Sequence, residues 1–454
     1  MSSTAIPVRR AGINRRIFSA ASAVTLAVFV VKVAATAKEY AIAGIYGRSD
    51  ALEAFLAAAL IPGLLINLIS ESMNQALVPT LVRIRRSEGH EPAQRLFSNA
   101  LICTCLLLVI ASVGMALSAR LFFPLIGSHF AVWKLNLAVH IFYGLLPLIV
   151  FTGIASLCTA VLNTDGNFAL PALAPIMTPL GVIVAASLFA GRFGIWAMIY
   201  GTVAGAVLHV IWIVSMLNAG EYRFSLRWFG ANEATHEVAR QYWPVFLSGI
   251  VASSGLLVDQ SMAAMLPAGS VSALAYAGRF VSVALALLGG SVATAMTPFF
   301  SELAAHEDWS GCRRTLRTWA WSSAGVGTMV AAALIFGARI LVRLTFQHGI
   351  FGAQDTIVVS GVLVMYALQI PFFVCSRVYY RFLVAMRRTD LVFVCGLLNL
   401  ALDIVLNVVL MRRFGVAGIA LATSLWSAST LMFLGYWSWR VLARAELGIP
   451  NREG

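Results

Sequence analysis

Twelve predominantly apolar stretches follow one another along the chain, near 17–37, 51–79, 97–126, 136–162, 169–190, 194–217, 242–266, 270–300, 318–346, 356–383, 391–411 and 415–438. A helix of about 20 such residues crosses the hydrocarbon core of a bilayer. The expected fold is therefore an all-α polytopic membrane protein with about 12 transmembrane helices. Composition agrees: 60% of the 454 residues are hydrophobic and 11% charged. A soluble domain carries roughly 25% charged residues, so this chain could not coat a globular surface, and a soluble enzyme is excluded.

The segments between the runs are short. The longest polar one, 218–241, itself contains Trp228 and Phe229, and no loop could house a catalytic domain. A phosphate-cradling GxxxxGK is absent from the sequence, so nothing points to nucleotide hydrolysis. Six cysteines, Cys103, Cys105, Cys158, Cys312, Cys375 and Cys395, show neither CxxC nor Cys/His ligand spacing. They read as packing residues rather than a disulfide framework or a metal site. The expectation is a transporter, not an enzyme, with no cofactor and no metal.

Charge gives the orientation. The net charge of +13 would suggest nucleic acid in a soluble protein, but no segment here can carry a contiguous basic patch, and no nucleic-acid partner is expected. With the basic start MSSTAIPVRRAGINRR inside, 20 of the 32 Lys and Arg fall in inward segments and 8 in outward ones. That asymmetry places both termini in the cytoplasm. The first apolar run is too long for a signal peptide and is read as a retained helix. The organisation expected is a tail over 1–16, a six-helix bundle over 17–217, a cytoplasmic linker over 218–241, a second six-helix bundle over 242–438, and a tail over 439–454.

An internal repeat supports two bundles. Arg192-Phe193-Gly194-Ile195 precedes the sixth span, and Arg413-Phe414-Gly415-Val416 precedes the twelfth. Ala76-Leu77-Val78-Pro79 closes the second span, and Ala295-Met296-Thr297-Pro298 closes the eighth. Six plus six helices in the same orientation imply parallel repeats about a pseudo-two-fold along the membrane normal, an architecture that transports by alternating access. Pro62, Pro147, Pro175, Pro179, Pro244, Pro371, Gly289 and Gly290 lie inside spans and would supply bends and close contacts.

Ionisable groups at membrane depth are costly and are the functional candidates. Lys32, Lys38 and Arg279 are the candidate substrate-binding cations; Glu53, Glu71 and Asp259 are the candidate coupling or charge-balancing acids. Each has an ordinary alternative. Lys38 could pair with the adjacent Glu39, and Glu53 could be interfacial. Glu71 sits in the polar patch Ser70-Glu71-Ser72-Met73-Asn74-Gln75. Arg279 cannot lose its charge, so it faces either an anion in a wet cavity or Asp259 as a buried partner. Arg377, one turn from Arg381, reads as an interfacial anchor. Asp403 and Asn407, spaced i, i+4 on one helix face, read as interhelical packing.

Several stretches resemble a known family. Lys38-Glu39-Tyr40-Ala41-Ile42-Ala43-Gly44-Ile45-Tyr46-Gly47, then Glu53-Ala54-Phe55, Ile61-Pro62 and Ala76-Leu77-Val78-Pro79, resemble the opening of the MurJ/MviN lipid II flippases. Those belong to the multidrug/oligosaccharidyl-lipid/polysaccharide exporter superfamily. The run from Pro267 to Arg279 and the run Gln347-His348-Gly349-Ile350-Phe351 with Gln354-Asp355-Thr356 resemble two further family signatures. The resemblance implies a flippase of the bacterial inner membrane that moves a polyprenyl-diphosphate-linked saccharide outward for envelope synthesis. It implies that Lys32, Lys38 and Arg279 hold the diphosphate and sugar headgroup, with Glu53 where the family has an aspartate. It also implies a coupling ion or the membrane potential as driving force; membrane lipids are the expected surroundings and a monomer the expected state.

This chain departs from the family pattern in several places. Ile66 and Asn67 stand where the family has basic residues, Gly278 stands where an aspartate is usual, and lysines replace two first-helix arginines. A lysine keeps the charge and loses the bidentate fork. Many members have fourteen helices, against twelve here. Lipid II is the first substrate implied; an exopolysaccharide repeat unit, or cation-coupled multidrug antiport within the same superfamily, are the alternatives. A scaffold for envelope-synthesis enzymes is a third reading, under which every deep charge could be neutralised without loss of function.

Overall fold

Fourteen α-helices account for nearly all of the described chain. The computed structural model describes residues 8–127, 130–164, 168–305, 308–386 and 388–446; the expected tail residues 1–7 and 447–454 lie outside them. In order the helices are α1 (Val8–Tyr46), α2 (Asp50–Ser87), α3 (His90–Ile126), α4 (Val132–Thr164), α5 (Ala169–Leu173), α6 (Met177–Phe193) and α7 (Trp196–Ala219). They continue with α8 (Glu233–Ala264), α9 (Ser270–Ala305), α10 (Trp309–Phe346), α11 (Ala353–Ala367), α12 (Gln369–Ala385), α13 (Thr389–Phe414) and α14 (Val416–Glu446). No strand occurs among the described residues.

Two of the spans are broken helices. A 3-10 turn over Ala174–Ile176 joins α5 to α6, where Pro175 offers no N–H to an α-helical ladder. Leu368 separates α11 from α12, and Pro371 falls in the first turn of α12, where a missing N–H costs nothing. Taking each broken pair as one crossing gives twelve helical stretches in register with the twelve apolar runs. Ten of these, among the described residues, are long and apolar enough to cross a membrane; α1 and α8 carry the remaining two runs. Large apolar side chains such as Phe336, which is 87% exposed, cover outer faces as lipid-facing positions do.

Helix ends follow local chemistry. Asp308 caps α10, its carboxylate accepting from the Gly311 N–H at 2.8 Å and the Ser310 hydroxyl at 2.9 Å. Those bonds, the backbone one first, hold its pKa below the usual carboxylate value. The repeated Arg-Phe-Gly stretch has one backbone form in both places. Gly194 ends α6 at φ 55, ψ −132, and Gly415 ends α13 at φ 58, ψ −137. Such a conformation excludes side chains with a Cβ at little strain, so both copies need glycine.

Two compact units emerge. The first comprises Met1–Ile45, Ala54–Pro124 and Val132–Ile250; the second comprises Tyr46–Glu53, Leu125–Ala131 and Val251–Gly454. The division falls inside α8, and the loop after α1 belongs to the second unit. In the first unit, Leu77, Leu81, Phe97, Leu157, Cys158 and Tyr222 are fully buried in one core. In the second, Leu316, Val378, Phe382 and Leu442 do the same. All six cysteines are free thiols, four of them buried. Within the first unit α6 and α7 approach backbone to backbone: a Cβ on Gly201 would stand 2.6 Å from the Gly181 carbonyl oxygen.

The segment 220–232 is not helical, yet it is tied to the first unit. Gln94 on α3 brackets Arg223, donating to its carbonyl at 2.8 Å and accepting from its N–H at 2.9 Å. Asn99 does the same further along, donating to the Gly230 carbonyl at 2.8 Å and accepting from the Phe229 N–H at 2.9 Å. Arg85 pairs with Glu221, and Arg83 with Glu237.

Candidate substrate and coupling sites

The first unit holds Lys32, Lys38 and Glu71. Lys32 is exposed on α1, and its carbonyl accepts from the Thr36 hydroxyl at 2.9 Å. Lys38 is half-buried, with its ammonium 3.1 Å from the Glu39 carboxylate. The polar patch on α2 splits between faces. Ser70 and Ser72 are buried, whereas Glu71 is exposed and accepts from Gln75 one turn on, at 3.2 Å. Asn74 turns toward α4 and donates to the Ser156 hydroxyl at 3.0 Å.

The second unit holds Glu53, Asp259 and Arg279. Glu53 is 1% exposed, and its carboxylate accepts from the backbone N–H groups of Val271 at 2.8 Å and Ser272 at 3.4 Å. These are first-turn donors of α9 that have no intrahelical acceptor. A carboxylate there also meets the positive end of the helix dipole. Next to it, Arg48 donates through Nε and Nη2 to the Gly269 carbonyl at 3.0 and 2.9 Å, and through Nη1 to Asp355 at 3.0 Å. Tyr276 closes the arrangement by donating its hydroxyl to the Gly47 carbonyl at 2.9 Å. Gly47 makes the turn at φ 55. The segment Tyr46–Glu53, the turn from α1 into α2, is thereby tied to α9 and to the start of α11.

Asp259 is 8% exposed and lies with Asp403, which is 3% exposed. The Asn407 amide donates to both carboxylates, at 2.8 Å to Asp259 and 3.1 Å to Asp403. The Thr423 hydroxyl is 3.3 Å from Asp259 and 3.1 Å from the Ile419 carbonyl, so its one proton serves one of them at a time. The Asn407 carbonyl oxygen is buried with no hydrogen-bond partner. Oxygen acceptors outnumber donors here, and neither acid has an ion-pair partner among the described residues. Two charged carboxylates in a dry site repel strongly, so the cluster needs a positive species, either a proton or a bound cation.

Arg279 is exposed on α9, and the partners of Asp259 are Asn407 and Thr423. Arg377 stacks on Phe373 at 4.4 Å from its ring centre and lies 5.8 Å from that of Tyr380. Reading the sequence alone missed the Arg48–Asp355 pair, because 307 residues separate its members. It also kept Asp259 apart from Asp403 and Asn407. The i, i+4 acid and amide within an apolar run were the available signal.

The described geometry can be set beside known proteins. A family model described as lipid II flippase MurJ matches residues 42–450. A lipid II flippase MurJ of Burkholderia cenocepacia is 29% identical over 360 residues, covering 74% of this chain and 67% of that protein. A probable lipid II flippase MurJ of Synechocystis sp. is 25% identical over 424 residues, covering 90% and 79%. Among solved structures, lipid II flippase MurJ in an inward closed conformation superposes with a TM-score of 0.77 at 22% identity, covering 93% of this chain and 90% of that one. An inward-facing multidrug resistance MATE family transporter of the MOP superfamily gives 0.80 at 14% identity, covering 92% and 96%. At those identities the two structures establish the shared fold.

Proposed function

The chain belongs to the lipid II flippase family MurJ, and from that premise we propose that it carries a polyprenyl-diphosphate-linked saccharide, lipid II, from the cytoplasmic to the outer leaflet of the bacterial inner membrane. The observation that carries this reading is the family match across residues 42–450. The chemistry is compatible. Flipping breaks no covalent bond, so it needs cations for a diphosphate and a means of changing state, rather than a catalytic triad. Lys32, Lys38 and Arg279 are the proposed headgroup ligands, with Arg279 supplying the bidentate phosphate geometry that lysine lacks. We place both termini in the cytoplasm on the charge asymmetry, and take the working unit as a monomer of two six-helix bundles that transports by alternating access.

Complementation tests the substrate. Cells depleted of their own lipid II flippase are expected to survive on the wild-type chain and to lose viability with Arg279→Ala or Lys32→Ala at equal membrane levels. Failure of the wild type, despite confirmed insertion, would redirect the search to another lipid-linked oligosaccharide.

We assign coupling to the Asp259–Asp403 cluster, with Glu71 balancing charge in the first unit. Its excess of buried oxygens suits a proton or an alkali cation. Asp403→Asn removes one carboxylate and keeps the shape. Transport by this variant in vesicles is expected to lose its dependence on the ion gradient. An undiminished dependence would remove the cluster from the mechanism.

A further inference from the structure

A groove of about 1050 Å³ runs along the second unit between α10 and α14, floored by Tyr379 and Cys375 of α12. Pockets for small ligands span roughly 300–1,000 Å³, so this one has room for more than a headgroup. Its lining changes character along its length. The end at the start of α10 carries Arg313, Arg314 and Arg317, faced by Glu446 at the end of α14. Trp439 and Trp321 follow, then Met432, Leu431 and Ala324. From Arg313 to Ala324 the helix rises about 16 Å, so charge, aromatic ring and aliphatic chain succeed each other at the pace of a headgroup, an interface and an acyl tail.

The electrostatics leave room for an anion. Glu446 is engaged by Arg313, which also lies over Trp439 at 6.0 Å. Arg314 interacts electrostatically with the solvent-exposed Asp308, and among the described residues Arg317 has no hydrogen-bond or ion-pair partner. Among the described residues, three guanidinium groups meet the two carboxylates of Glu446 and Asp308, which leaves the mouth with a net positive charge. Trp321 and Met432 are 72% and 69% exposed, so the deeper groove presents apolar surface outward.

We propose that this groove binds one anionic phospholipid of the inner leaflet, its phosphate held by Arg314 and Arg317 and one acyl chain lying over Trp321 and Met432. Planar guanidinium groups take a phosphodiester through paired, charge-assisted bonds, and basic pockets on the cytoplasmic side select anionic headgroups. The assignment rests on the orientation given by the charge count, which puts the start of α10 at the cytoplasmic surface, and is independent of which saccharide is flipped.

Binding to the purified full-length chain in neutral detergent, read by native mass spectrometry, tests it. The probes are dioleoyl phosphatidylglycerol and dioleoyl phosphatidylcholine. The wild type is expected to prefer the anionic lipid. Arg314→Ala combined with Arg317→Ala is expected to lower its affinity by roughly tenfold or more, and the paired lysine variant to recover part of it. Arg412→Ala with Arg413→Ala removes the same charge elsewhere and is expected to bind as wild type. Equal affinity for both lipids, or equal loss in the control pair, would overturn the proposal. So would displacement of phosphatidylglycerol by undecaprenyl diphosphate that itself needs Arg314 and Arg317, since the groove would then serve the substrate. The readout is binding, so a chain that flips some other lipid leaves the result unchanged.

Discussion

Glu53 and Glu71 lie on one helix, α2, about five turns apart, and are held in opposite ways. Glu53 is buried and accepts from two orphan N–H groups of α9, whereas Glu71 is exposed and accepts from Gln75 on its own helix. Removing a buried acceptor of two backbone donors costs about 1–3 kcal/mol, more for a charged one, while an exposed i, i+4 bond contributes a few tenths. Glu53→Ala is therefore expected to lower the melting temperature of the purified protein clearly, and Glu71→Ala barely. Equal shifts would mean that the Glu53 cap contributes nothing beyond a surface contact. In the sequence both were candidate coupling acids, Glu53 with an interfacial alternative and Glu71 in a polar patch, and the cap made by Glu53 was hidden because its partners lie 218 and 219 residues away.

At the scale of elements, the segment 220–232 shows how a polar connection becomes part of a bundle. Composition marked it as a linker between halves, yet Gln94 and Asn99 each grip its backbone from α3 through one donor and one acceptor. Asn99 is 1% exposed, so Asn99→Ala strands both the Phe229 N–H and the Gly230 carbonyl. The expected cost is about 1–3 kcal/mol, seen as a lower unfolding temperature and faster proteolysis within 220–232. Proteolysis no faster than wild type would show that Gln94, the Arg85–Glu221 pair and the buried Tyr222 hold the segment without Asn99. The helices themselves were readable from apolar run length. Their breaks at Ala174–Ile176 and Leu368 were flagged only as prolines inside spans.

At the scale of the molecule, the proposed orientation rests on the distribution of Lys and Arg, a property of the whole chain rather than of any site. A fluorescent protein fused after Glu446 is expected to fluoresce in the cytoplasm, and alkaline phosphatase inserted after Arg413 to be active outside. The reverse pattern would invert the topology and move the α10–α14 groove to the opposite leaflet. The two copies of the Arg-Phe-Gly turn show the repeat at this scale as well, since Gly194 and Gly415 adopt matching dihedrals 221 positions apart.

Span number, helical class, the repeat and the family were all legible in the sequence, because each rests on runs of residues or on local spacing. Bilayer thickness sets how long an apolar run must be, and no tertiary contact is needed to count such runs. The sites were legible only as a list of charges. Whether Glu53 caps a helix, whether Asp259 meets Arg279 or Asp403, and whether Arg48 reaches Asp355 depend on which helix faces pack together. A helix shows the same residues to every neighbour, and only packing in three dimensions chooses among them.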